Sequence, residues 1–153
     1  MRTRHPSRPR PLLVDIWAAS QLVATLLDRK LTAAGLDPYG WGTLSVIGAF
    51  GPMTPSDVAW RTGRPLTTTS DLIRRLVDRG EVERLPNPDD RRSQFLRLTE
   101  KGEEIWHAGW PAVDTTIADV AANLEQPLDE VHDAVQSLLA ALRKASQDVN
   151  TIP

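Results

Sequence analysis

Between residues 54 and 98 the chain sets two short helical runs, each closed by a glycine, directly before two alternating runs that flank a turn rich in Pro, Asn and Asp. This order constrains the fold more than any other feature, because neither helix is long enough to persist without packing. The first helix has the clearer start. Thr54-Pro55-Ser56-Asp57 supplies a hydroxyl N-cap, a proline at the first helical position and a carboxylate at N3. Asp57 stands where a capping box carries Glu or Gln. Val58 and Ala59 should point inward, and Gly63 should end the helix.

The second helix sorts its residues sharply. At roughly 100° per residue, Thr69, Ile73, Leu76 and Val77 share one face. Thr67, Thr68, Asp71 and Arg75 take the opposite face, with Arg64 beside them if helical order extends that far. Gly80 closes the helix. Residues 82–85 read as a short strand, residues 86–92 as a turn, and residues 93–98 as the partner strand of a hairpin. The hairpin loop carries Arg91 and Arg92.

The flanks are helical. Apolar residues recur from Leu13 through Ile16, Val23, Leu27 and Leu31, with Ser20 as a weak point, before a stop at Gly35. A second apolar segment covers residues 38–50 and ends at Gly51. Thr99 caps a long helix with Glu100 and Glu103 near its start and an apolar stripe at Ile105, Val113, Ile117, Val120 and Leu124. Pro111 is expected to kink it. Pro127 begins a last helix with Leu128, Val131, Val135, Leu138, Leu139 and Leu142 on one face. The terminal stripes are longer than one small lobe can cover, which points to a homodimer.

The fold class is therefore mainly α with a small β-hairpin: a winged helix-turn-helix with N- and C-terminal dimerisation helices. In such a fold the second helix lies in the major groove of duplex DNA, where each base pair shows a distinct pattern of donors and acceptors. Its outward face must carry hydrogen-bonding groups, as this one does. A basic loop on the hairpin reaches the backbone or the minor groove, whose negative potential favours arginine.

Net charge is -2 over 153 residues, an unpromising sum for a DNA binder. Its distribution matters more. Residues 1–53 carry +3, residues 54–99 carry +2 and residues 100–153 carry -7. DNA could touch the first two parts and would be repelled by the third. With no cysteine, disulfides, thiolate metal sites and thiol redox sensors are excluded. No apolar run approaches the roughly 20 residues of a membrane span. Residues 1–10 hold four arginines with no apolar stretch behind them, so no secretion and a cytoplasmic location are expected.

Thr54-Pro55-Ser56-Asp57-Val58-Ala59, the stretch from Leu72 to Gly80, Val82-Glu83-Arg84, and Pro88-Asp89-Asp90-Arg91-Arg92 followed by Leu96-Arg97-Leu98-Thr99 resemble the MarR family of bacterial regulators. The resemblance covers residues 12–144 in element order and is strongest over 54–102. Residues 1–11, rich in Arg and Pro, read as a disordered basic tail, which leaves one domain over 12–147, as the resemblance implies, and a tail at 148–153. Within the domain, 12–37 and 100–147 would be dimerisation helices and 38–99 the DNA-binding lobe. The resemblance also implies a palindromic operator and, in many members, a small ligand that releases DNA.

Carried over by position, the DNA-binding residues are Thr67, Thr68, Ser70, Asp71 and Arg75 on the reading helix, with Arg74 beside them, and Arg91 and Arg92 on the wing. The resemblance implies that Asp90 stabilises the wing through an ion pair. Three positions depart from the family pattern. Many members have Arg at Asp71, a helix-capping Ser at Pro65 and Leu at Glu81. Asp71 could accept a hydrogen bond from a cytosine amino group but would repel phosphates, so the operator should differ from those of better-known members.

Five tryptophans stand beside one tyrosine and two phenylalanines. Trp17, Trp41, Trp106, His107 and Trp110 form a candidate pocket for a small aromatic effector, set against the alternative that they only pack a core and a dimer interface. His5, His107 and His132 lack metal-ligand spacing, and no catalytic signature is present, so neither metal, cofactor nor enzyme activity is expected. The competing reading is a winged-helix protein-interaction module that does not bind DNA, motivated by Asp71 and the low net charge.

Overall fold

The computed structural model describes residues 11–90 and 92–149, with side chains described through residue 146. The expected tail at 1–11 therefore lies, except for Pro11, outside the described residues, as do residues 150–153. Six helices and one hairpin follow in the order α1 (Leu12–Ala33), α2 (Pro38–Phe50), α3 (Pro55–Thr62), α4 (Leu66–Asp78), β1 (Val82–Pro86), β2 (Gln94–Leu98), α5 (Glu100–Ala121) and α6 (Leu128–Val149). The chain divides into two compact units, one ending at Asp114 and one beginning at Thr115.

The first unit is built around the short helices. Thr54 caps α3 with a complete capping box: its hydroxyl accepts from the Asp57 N–H at 3.2 Å, and Asp57 accepts from the Thr54 N–H at 2.9 Å. The shorter aspartate side chain thus does the work that Glu or Gln usually performs. Thr54→Ala should cost about 1 kcal/mol, checked by chemical denaturation of the purified variant. Gly63 ends α3 in the left-handed region, at φ 65°. Gly80 does the same after α4, at φ 70°, and lets the Glu81 N–H return to the Leu76 carbonyl at 2.9 Å.

The core of this unit joins every element from α2 to β2. Leu44 and Ile47 of α2, Val58 of α3, Leu72, Ile73 and Leu76 of α4, Val82 of β1, and Leu96 and Leu98 of β2 are buried together with Met53. The hairpin register pairs Val82 with Leu98 and Arg84 with Leu96. Leu96 also exchanges both backbone hydrogen bonds with Met53, at 2.8 and 3.3 Å, so the residue before the α3 N-cap closes the outer edge of β2. That bridge ties the start of α3 to the wing. Ser93, expected in the second strand, belongs to the turn. Pro86, expected in the turn, ends β1, where its missing N–H is tolerated.

Helix α1 buries only Leu31. Leu13, Trp17, Leu22 and Val23 are all more than half exposed. In the second unit, the expected stripes are likewise open: Ile117 and Val120 of α5, and Leu128, Val135, Leu139 and Leu142 of α6, are exposed. α5 runs without interruption through Pro111.

Candidate nucleic-acid interface

α4 is the element with the cleanest division between faces. Thr69, Leu72, Ile73 and Leu76 are buried, whereas Thr67, Thr68, Asp71, Arg74 and Arg75 are exposed and Ser70 is half-buried. The division follows from sequence: apolar groups at i, i+3, i+4 and i+7 turn one face to the core and leave hydroxyls, a carboxylate and guanidiniums on the other. The helix starts at Leu66 with Pro65 at the N-cap and no side chain capping it. Arg64 lies just before this start, half-buried, with its guanidinium 5.5 Å from the centre of the Tyr39 ring.

Asp71 and Arg74 are joined by an ion pair, Arg74 donating to Asp71 Oδ1 at 2.7 Å. Both side chains remain more than 60% exposed. The acid that departs from the family pattern is thus neutralised by its own helix.

The wing turn is held from within. The Asn87 side chain donates to Ser93 Oγ at 2.7 Å and accepts from the Asp89 N–H at 3.0 Å. An ion pair between Asp90 and Arg91 would lie outside the described residues; what is described of Asp90 is its bonding to the turn backbone. Its carboxylate accepts from the Arg92 N–H at 2.9 Å, and its carbonyl accepts from the Ser93 N–H at 3.1 Å. A short acid at a turn commonly bonds the backbone N–H two residues on. Across the hairpin, Arg97 pairs with Glu83 at 2.7 Å. Arg92 is exposed; Arg91 lies outside the described residues.

α4 and the wing border one groove of about 540 Å3, whose walls include Ser56 at the start of α3, Ser70 of α4, Arg84 of β1, and Arg92 and Gln94 of the hairpin. Ser56, Arg84 and Gln94 were not singled out from the sequence. Arg84 and Gln94 reach the groove from the hairpin itself, and the Met53–Leu96 bridge, a contact with no local sequence signal, ties the start of α3 and with it Ser56 to that hairpin.

The five aromatic candidates separate. Trp41, Trp106 and Trp110 form one stacked cluster, with Trp41 edge-on to Trp110 at 6.3 Å and Trp106 tilted on Trp110 at 5.9 Å. His107 stacks on Trp106 at 5.1 Å. The Trp41 indole N–H donates to the Trp106 carbonyl at 3.0 Å, and the Trp106 indole N–H is buried with no partner among the described residues. Trp17, at 65% exposed, makes no ring contact with them among the described residues. Four of the five thus lie in one aromatic cluster, and Trp17 is described apart from it. A separate groove of about 540 Å3 runs between α1 and α2, with Val23, Leu27, Tyr39, Trp41 and Arg64 on its walls. Of the five, only Trp41 borders it. Tyr39 is the aromatic residue that sequence reasoning passed over; the only sign of it was its place in the helical segment at 38–50.

A buried ion pair closes the end of α4. Glu81, 6% exposed, accepts two hydrogen bonds from Arg79, at 2.7 and 2.9 Å. Arg79 also reaches Asp37, the N-cap of α2, at 3.6 Å. Bonding to Glu81 holds the guanidinium pKa above its ordinary value, against the opposing effect of burial. Among the described residues no group of acidic or histidine side chains could hold a metal ion, and no helix is long and apolar enough to cross a membrane.

A capped short helix, a tight turn, a second helix with a polar outer face, and a hairpin sharing its groove define the winged helix-turn-helix class. Comparison with known proteins narrows this. Residues 34–93 match the model of the MarR family. The chain is 30% identical over 95 residues to the multiple antibiotic resistance protein MarR of Salmonella typhimurium, covering 62% of this chain and 66% of that protein, slightly under two thirds of its length. A mutant of MarR from E. coli, complexed with operator DNA, has a TM-score of 0.69 and 28% identity, covering 87% of this chain and 94% of that one. The M. tuberculosis transcriptional regulator MOSR, in complex with DNA, has a TM-score of 0.70 and 26% identity, covering 90% of this chain and 98% of that one. The chain is thus similar to the MarR family in sequence over residues 34–93 and in fold over most of its described length. These relatives are named as regulators or resistance proteins, not as enzymes.

Proposed function

We propose that the protein is a cytoplasmic transcriptional regulator that binds a palindromic DNA operator as a homodimer. The observation that carries this reading is the outer face of α4: Thr67, Thr68, Asp71, Arg74 and Arg75 are exposed together while its apolar residues are buried. That face has the donors and acceptors needed to read base edges, and Ser70 of the same helix lines a groove with Arg92 of the wing, a cation suited to phosphate or minor-groove contact. The DNA complexes of MarR and MOSR support the reading by likeness.

The open apolar faces of α1 and α6 support the second copy. Each chain leaves Leu13, Trp17, Val135 and Leu139 in water, more apolar surface than a monomer of this size would ordinarily expose. Pairing through residues 12–37 and 100–147 would cover them and present two α4 helices to half-sites about one DNA turn apart. An effector would sit in the α1–α2 groove, where Tyr39 and Trp41 offer aromatic faces and Arg64 a cation next to the start of α4. A small aromatic acid fits that lining, and by drawing on Arg64 it would disturb the first turn of the reading helix.

The wing gives the test. Replacing Arg91 and Arg92 together by alanine should weaken operator binding about tenfold and flatten the salt dependence by up to two phosphate contacts. Fluorescence anisotropy of labelled duplex across a salt series measures both. Equal affinity and equal slope for variant and parent would remove the wing from DNA binding, whereas a parent that binds no duplex would favour the interaction-module reading.

A further inference from the structure

We infer that Asp71 and Arg74 act as one unit that reads a single G·C base pair, an inference that rests on the DNA-binding role of α4. The two side chains are already joined at 2.7 Å in the free protein, through one Arg74 nitrogen and one Asp71 oxygen. Among the described residues nothing else engages either group. Arg74 therefore keeps further donors on its guanidinium edge, and Asp71 keeps its second oxygen as an acceptor. Side by side, the pair presents donors followed by an acceptor.

The major-groove edge of a G·C pair runs acceptor, acceptor, donor: N7 and O6 of guanine, then the amino group of cytosine. The pair matches that edge, guanidinium to guanine and carboxylate to cytosine. No other base pair presents two neighbouring acceptors followed by a donor. The ion pair also removes the objection to an acid in the groove, because the guanidinium beside Asp71 offsets its repulsion from phosphates. Stability gives no competing reason for the pair, since an exposed ion pair between neighbouring helical turns adds little to folding. Holding the guanidinium at Asp71 also fixes a side chain that would otherwise lose more freedom on binding.

Selection of duplexes from a randomised operator pool, run with the parent protein, Asp71→Asn, Arg74→Ala and the double variant, tests this. Circular dichroism and binding to non-specific duplex at low salt control for folding. The parent should select G·C at one position of each half-site. Each single variant should lose about tenfold of that preference, at the same position. The double variant should lose little more, because the two residues act together. Loss at two different positions, or an unchanged selected sequence, overturns the paired reading while leaving DNA binding by α4 intact. A parent protein that retains no duplex overturns both.

Discussion

Gly109→Ala should lower the stability of the protein by about 2–3 kcal/mol, seen as a fall of roughly 6–10 °C in the midpoint of thermal unfolding. A β-carbon at residue 109 would strike the Trp41 indole at the nitrogen that bonds the Trp106 carbonyl. The ring has no easy retreat: Trp41 is 7% exposed and held edge-on by Trp110. The gain of about 1 kcal/mol that alanine brings within a helix offsets only part of the clash. Trp41→Phe in the same chain removes the struck atom. The double variant should therefore be less destabilised than the two single losses added together. A Gly109→Ala protein as stable as the parent would show that the tryptophan cluster packs less closely than described.

Arg79→Ala should cost about 3 kcal/mol, because it leaves the Glu81 carboxylate buried with neither of its two guanidinium hydrogen bonds. The half-exposed position of Arg79 admits some water and keeps the figure at the low end for a broken buried pair. The loss comes mostly from the stranded acid, not from the missing arginine. Glu81→Leu on the Arg79→Ala background should therefore recover most of it, since an apolar side chain suits a site beside Leu44 and Ile105. Denaturant titration of the parent, both single variants and the double variant closes the cycle. A double variant no more stable than Arg79→Ala would mean that Arg79 acts through Asp37 or through its own packing.

What the chain disclosed about itself was local. The capping box at Thr54, the glycine stops at residues 35, 63 and 80, and the two faces of α4 depend on neighbours within one or two turns, so spacing alone reveals them. The hairpin was legible for the same reason, with its limits displaced by a residue at Pro86 and at Ser93. Contacts between distant residues were not legible. Nothing near Met53 announces that it will pair with Leu96, yet that bridge brings Ser56 to the groove of Arg92. Glu81 stood out in the sequence only as a departure from a common leucine, and nothing local announced that Arg79 would turn back on it at the end of α4. Four tryptophans and His107 suggested a pocket, but aromatic richness does not say which rings stack and which face water. Trp41, Trp106 and Trp110 pack on one another, and Trp17 stands exposed on α1.

Whether paired copies of α4 read DNA is tested most directly by incubating the purified protein with sheared genomic fragments, sequencing those it retains, and weighing the complex by mass photometry. The expected result is a shared inverted repeat, half-sites about one helical turn apart, and a mass of two chains per duplex. Retention without any shared sequence, one chain per duplex, or no retention at all would contradict it.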